Sequence, residues 1–198
     1  MVKDLIGYQY LDKFFDLQFS LRDINIENYM RSLGVIDTLS GGYFETCAKE
    51  ICMQFKFSLR QMNRFFNLIS LIYDYINFKE NMHDAVLSKY ILFPIMLGIK
   101  IYDINIYNKI INGEGENELK SIIMNNTEII NVFNHFFNVE HNEKELAFDF
   151  SELYKSLFID MQESEWVDVR IGNRDIKYGK ERKRLKSLLS FLNEFVKL

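Results

Sequence analysis

The stretch Phe57-Ser58-Leu59-Arg60-Gln61-Met62-Asn63-Arg64-Phe65-Phe66-Asn67-Leu68-Ile69-Ser70-Leu71-Ile72-Tyr73-Asp74-Tyr75-Ile76 decides the fold class of this chain. Ser58, followed three residues later by Gln61, is a capping box, in which each residue's side chain reaches the other's backbone N–H. Phe57 and Met62 stand at the two places of a hydrophobic staple. Wound as a helix, Met62, Phe65, Phe66, Ile69, Ile72, Tyr73 and Ile76 share a stripe roughly 120° wide, which must enter a core. Arg60, Arg64, Asn67 and Leu71 fall on the opposite side and face water or something outside that core.

Two arginines one turn apart at a helix start repel each other and oppose the positive end of the helix dipole, each at a cost of a few tenths of a kcal/mol. An anion or a carboxylate partner would relieve both penalties. A solvated basic face that tolerates them fits the same pattern.

On either side of this helix the period stays helical. Asp4 to Asp16 carries Leu5, Tyr8, Leu11, Phe14 and Phe15 at helical spacing and leads into an extended Leu17–Leu21. Asp23 or Asn25 caps a short helix through Leu33. Ser40-Gly41-Gly42 is a loop, and Tyr43 to Phe55 a helix delivering the chain to Ser58. Met82 to Tyr102 predicts a long apolar helix that Pro94 kinks or splits. Its most apolar run, Tyr90–Ile99, lies between Lys89 and Lys100 and is too short to cross a bilayer. Asn105–Asn112, Glu118–Met124 and Thr127–Phe137 are shorter helices, with Gly113-Glu114-Gly115-Glu116 as a hinge or exposed loop. Asn142 with Glu145 repeats the capping-box pattern and predicts a helix through about Gln162.

One segment breaks the period. Trp166 to Tyr178 alternates about Gly172-Asn173, a hairpin signal, and a lone hairpin must lean on the helices to be stable. Lys180 to Lys197 then closes the chain with Leu185, Leu188, Leu189, Leu192, Phe195 and Val196 turned inward. The expected architecture is mainly α: one helical domain over 1–198, an irregular array of about eight to ten helices with one short β-hairpin near the C-terminus.

Composition narrows the class. At 198 residues the chain can bury a sizeable core, and 18 Phe with 11 Tyr make that core one of large side chains. A net charge of −4 argues against nucleic acid as the partner of the whole chain. Cys47 and Cys52 form no disulfide framework and no signal peptide precedes them, which points to a reducing cytoplasm. The charge is uneven: from Arg170 to Lys186 the segment carries +6 and the remainder −10. Its Arg170, Arg174, Lys177, Arg182, Lys183 and Arg184 are candidates for gripping an acidic partner, unless they only balance the acidic remainder from a solvated surface.

Other chemistry is thinly supported. None of the nine glycines precedes a Lys-Ser/Thr pair, so the chain carries no Walker A loop. His135, Glu140, His141 and Glu143 lie close in sequence, but the histidines are six apart and would face different ways on a helix, so no metal set is assigned. Neither cysteine has a nearby histidine to activate it.

Three stretches in order resemble the KAP-type P-loop NTPases of bacteria and phages. Tyr10-Leu11-Asp12-Lys13-Phe14-Phe15-Asp16-Leu17-Gln18-Phe19-Ser20-Leu21 is similar to the segment those proteins carry after their Walker B strand, with Arg22 where a proline is common. Phe57–Phe65 resembles their SLR-x-x-x-R helix, and Leu97–Ile110 a later segment, again with a family proline replaced. The likeness covers about residues 5–130, leaving 131–198 as an extension with the hairpin and final helix. It implies the helical C-terminal part of such an ATPase without its nucleotide core, whether a natural truncation, a split subunit or an excised piece. It further implies Arg60 and Arg64 as nucleotide-sensing residues, a nucleotide-binding protein partner, and a setting in conflict between phages and bacteria. On that resemblance the chain is no enzyme by itself and binds no cofactor alone, ATP and Mg being held only together with a nucleotide-binding core.

Overall fold

The structure, a computed structural model, describes residues 30, 42–77, 86–140, 144–159 and 168–195. The expected N-terminal helices and the extended segment between them lie outside these residues. Helix α1, Tyr43–Gln54, stops at a tight reversal. Lys56 takes the left-handed conformation (φ 50°), its N–H donates to Met53 C=O, and Phe57 N–H donates to Cys52 C=O at 3.0 Å. These two bonds satisfy the helix's last carbonyls and turn the chain so that Phe57 enters the core.

Ser58 then opens α2, Leu59–Asn77, as its pattern predicts. Ser58 N–H donates to Gln61 Oε1 at 2.9 Å, and Gln61 N–H donates back to Ser58 Oγ at 3.3 Å. Phe57, Met62, Phe65, Phe66 and Ile69 are fully buried, with the Phe57 and Phe65 rings edge to face. Arg60, Arg64, Asn67 and Leu71 are exposed, as the helical period requires.

The centre of the molecule is a rod made of a π-helical segment, Leu87–Leu92, running directly into α3, Phe93–Tyr102. Every residue from 87 to 100 is buried, the mark of a helix enclosed on all sides. Pro94 neither splits nor breaks it: Leu92 (φ −75°, ψ −38°) and Phe93 (φ −60°, ψ −50°) stay right-handed helical. The proline sits in the first turn of α3, and the wider π winding just before it takes up the crowding a proline imposes on the preceding turn. Helix α1 crosses the rod at Gly98, where a Cβ would come within 2.8 Å of Ile51 Cγ1. Only glycine lets these two backbones approach so closely.

Asp103 caps α4, Ile104–Ile111, its Oδ1 accepting Asn105 N–H at 2.8 Å. The 113–116 loop that follows is no hinge. Gly113 (φ 82°) closes α4 with its N–H on Ile110 C=O, while Glu114 N–H reaches Lys109 C=O. Gly115 is buried, and its N–H donates to the Tyr154 hydroxyl, which donates in turn to Ile110 C=O, both at 3.0 Å. Helices α5, Glu116–Met124, and α6, Thr127–Phe136, follow, the second capped by Asn126.

No helix spans 144–149, contrary to the pattern of Asn142 and Glu145; Asn142 itself lies outside the described residues. Buried Asn134 of α6 holds this strip instead, donating to Glu145 C=O at 2.7 Å and accepting Ala147 N–H at 2.9 Å. A side-chain amide that mimics a backbone pair competes with helix formation. Helix α7, Phe150–Tyr154, starts only at Asp149, whose carboxylate accepts Ser151 N–H at 2.9 Å, and continues as a π-helical turn, Lys155–Ile159.

The hairpin forms where it was read: β1, Asp168–Ile171, pairs antiparallel with β2, Arg174–Lys177. Gly172 (φ 58°) is followed by Asn173 at negative φ, the type II′ arrangement that suits strand twist. The tip leans on the C-terminus of α6. Asn173 N–H donates to Phe137 C=O, Asn173 Nδ2 to Asn138 C=O at 2.9 Å, and Arg174 to Phe136 C=O at 2.8 Å. Helix α8, Tyr178–Phe195, buries Leu185, Leu188, Leu189 and Leu192 against the rod and the α7 π turn. The described residues thus hold eight α-helices and one two-stranded hairpin.

Candidate functional site: the cationic face of helix α2

The capping box fixes where α2 begins, and therefore where Arg60 and Arg64 point. Both lie in the first two turns, one turn apart, on the side away from Met62, Phe65 and Phe66. Burial first, then the adjacent Arg60 charge, lowers the proton affinity of Arg64. Among the described residues Arg64 has no hydrogen-bond or ion-pair partner. Asn67 is exposed three residues further on and adds an amide to the same stripe.

A third cation lies in the rod. Lys100, at 3% exposure, is one of four buried polar or charged residues among those described. Its ammonium donates to Leu192 C=O at 2.7 Å and to Asn193 Oδ1 at 2.9 Å, and lies 4.9 Å from the centre of the Tyr107 ring. Tyr107 OH donates to the same Asn193 oxygen at 3.2 Å. These contacts tie the rod to the last turn of α8, whose carbonyls favour a positive charge. None of the contacts is a carboxylate. Burial, then the Arg64 charge, pushes the Lys100 ammonium below its ordinary value. Arg60 and Arg64 are thus exposed on α2, while Lys100 is buried in the rod.

Lys89 and Lys100 frame the apolar run in the sequence, and both are buried at 3%. The sequence offered one cue for Lys100: it lies one residue beyond an apolar run, where the next turn of the rod is still enclosed.

The other candidates separate. Arg174 caps α6, with its guanidinium 4.3 Å from the Phe136 ring centre as well as on Phe136 C=O, so its charge serves the fold. Arg170 and Lys183 are exposed. Arg184 is half-buried, and burial lowers its proton affinity. The side chains of Lys177 and Arg182 lie outside the described ones.

Cys47 and Cys52 are buried, and burial drives both thiols far above their ordinary range, which removes the thiolate that nucleophilic chemistry needs. His135 Nδ1 is 2.9 Å from Tyr43 OH, an exposed contact between α6 and α1. Among the described residues no group of three or more His, Cys, Asp or Glu could hold a metal. No helix among them is long and apolar enough to cross a membrane.

No family model, curated protein or solved structure matches this chain. The likeness to KAP-type NTPases thus rests on the residues quoted from the sequence. Of its three stretches, 57–65 and 97–110 fall among the described residues, while 10–21 lies outside them.

Proposed function

We propose that this chain is a helical lid or regulatory module, not catalytic alone, that docks on a nucleotide-binding partner in the manner of the helical part of KAP-type P-loop NTPases. The outward face of α2 carries the reading: Arg60 and Arg64 are exposed, adjacent and turned away from the chain's own core. A guanidinium so placed can meet the developing charge on a nucleotide's terminal phosphates, as arginine fingers supplied by a second domain do. The partner contributes the nucleotide core, ATP and Mg belong to the assembled pair, and the setting is cytoplasmic conflict between phages and bacteria.

The test is hydrolysis by the parent or reconstituted ATPase. Arg60→Ala with Arg64→Ala should lower the rate by about a thousandfold, the lower end for an arginine finger. An unchanged rate refutes the proposal. A second reading, a free-standing interaction protein that grips an acidic surface, draws on the exposure of Arg170 and Lys183. It predicts a salt-sensitive complex abolished by charge reversal at Arg182, Lys183 and Arg184 and indifferent to Arg60 and Arg64.

A further inference from the structure

We infer that Lys100 is a register lock: its buried ammonium selects one of several apolar dockings that α8 can make along the rod, and so fixes where the last helix lies.

The apolar face of α8 does not choose a position by itself. Leu185, Leu188, Leu189 and Leu192 are buried against the rod and the α7 π turn, and they recur every three or four residues. Sliding α8 by one turn, about 5 Å, sets Leu188 at the place of Leu192 and Leu185 at that of Leu189. The rod beneath is apolar and buried throughout Ile91–Ile99. Apolar contact has no direction, so a slip of this kind changes the buried area little.

The polar tie at the end of α8 is directional and admits one register. Lys100 Nζ donates to Leu192 C=O at 2.7 Å and to Asn193 Oδ1 at 2.9 Å, while Tyr107 OH donates to the same Asn193 oxygen at 3.2 Å. The Tyr107 ring, 4.9 Å from the ammonium, covers a further side of it. Leu192 lies in the last turn, where a carbonyl has no N–H of its own helix to accept from. One turn earlier stand Leu188, whose carbonyl the helix already uses, and Leu189, whose side chain accepts nothing. A slip the other way brings Lys197, a like charge, toward the ammonium. In either slipped register a cation at 3% exposure is left without its acceptors, a penalty that leucine contacts cannot offset. An apolar residue at position 100 would pack at least as well, so the charge serves selection rather than stability.

The test is a pair of distances across the dock. Spin labels are placed on Ser190→Cys of α8 and Asn108→Cys of α4, and in a second pair on Ser190→Cys and Glu128→Cys of α6, all exposed positions. Cys47 and Cys52 are buried and take no label. By pulsed dipolar spectroscopy the parent should give one distance in each pair. Lys100→Met, which keeps the stem and removes the charge, should add a second population displaced by up to about 5 Å in at least one pair. A thermal melt confirms that the variant folds; if it does not, Asn193→Leu, a change at an exposed position, carries the test by the same distances. Asn193→Asp keeps an acceptor and should retain the single distance. One distance unchanged from the parent in folded Lys100→Met, or in Asn193→Leu where that variant decides, overturns the inference. Broadening that Asn193→Asp shares equally overturns it too, since it would mark general loosening of α8.

Discussion

Replacing Tyr154 with Phe removes one oxygen and leaves the packing volume unchanged, which makes the variant a clean probe of the 113–116 loop. The Tyr154 hydroxyl accepts Gly115 N–H and donates to Ile110 C=O, each at 3.0 Å, in a place closed to water. Ile110 C=O keeps a partner, since Gly113 N–H also reaches it at 3.1 Å. Gly115 N–H keeps none. One orphaned buried donor costs about 1–3 kcal/mol and one lost second bond about 1, so the variant should lose about 3 kcal/mol. For a chain of this size that lowers the melting temperature by about 6–12 °C. Calorimetry gives the shift, and amide exchange at Gly115 should accelerate with it. A melting point within about 2 °C of the parent would refute the clamp and restore the loop as the hinge its glycines suggested.

Four further outcomes follow from the packing and the charges. Burial raises the hydroxyls of Tyr107 and Tyr154 above their ordinary 10.0, so the folded chain keeps protons the unfolded chain has lost. Their contribution is complete below pH 10.0 and declines as pH rises through the folded values; Lys100, pushed down by burial, slopes the other way below 10.5. Urea midpoints between about pH 9 and about pH 12 should therefore fall less steeply in Tyr154→Phe than in the parent, and parallel curves would contradict this. Gly98→Ala should cost about 1–3 kcal/mol through collision with Ile51, and Ile51→Ala should recover part of that in a double-mutant cycle; additive losses would show that the contact is not the cause. Lys56→Gly should stabilise by about 0.5–1 kcal/mol by urea midpoint, because the left-handed turn at φ 50° strains any residue with a Cβ. Arg174→Gln should destabilise by about 1–2 kcal/mol in the same assay through loss of its α6 cap, and no loss would return that arginine to the free basic surface.

Much of the fold was legible because its signals are local. Ser58 and Gln61 are three residues apart, and the cap they form is visible in any window that contains them. Gly172-Asn173 lies between two alternating runs, and the hairpin appears there in the expected two-residue register. What was misread depends on partners far along the chain. The hinge reading of Gly113 and Gly115 failed because Tyr154, 39 residues after Gly115, closes the loop. The capping-box reading of Asn142 and Glu145 lost to Asn134, whose amide takes the backbone groups that a helix would have used. At the candidate site, the outward direction of Arg60 and Arg64 followed from the period alone. The buried ammonium of Lys100 did not, since nothing near it in sequence announces Leu192 or Asn193 as its neighbours.

The ribbon tip resting on α6 has a consequence for how this end of the molecule becomes ordered. Arg174 and Asn173 cover carbonyls that lie 35 to 38 residues earlier in the chain. A peptide covering 127–140 alone should unwind from its final turn, and a peptide covering 168–177 alone should not hold its strands together. Each half supplies what the other lacks, so the two gain their shape jointly and late, once a long intervening loop has closed. Cutting the chain within that loop would test this directly: fragments that remain associated and helical after cleavage would show that the capping contacts, rather than the connecting chain, keep the two ends in register.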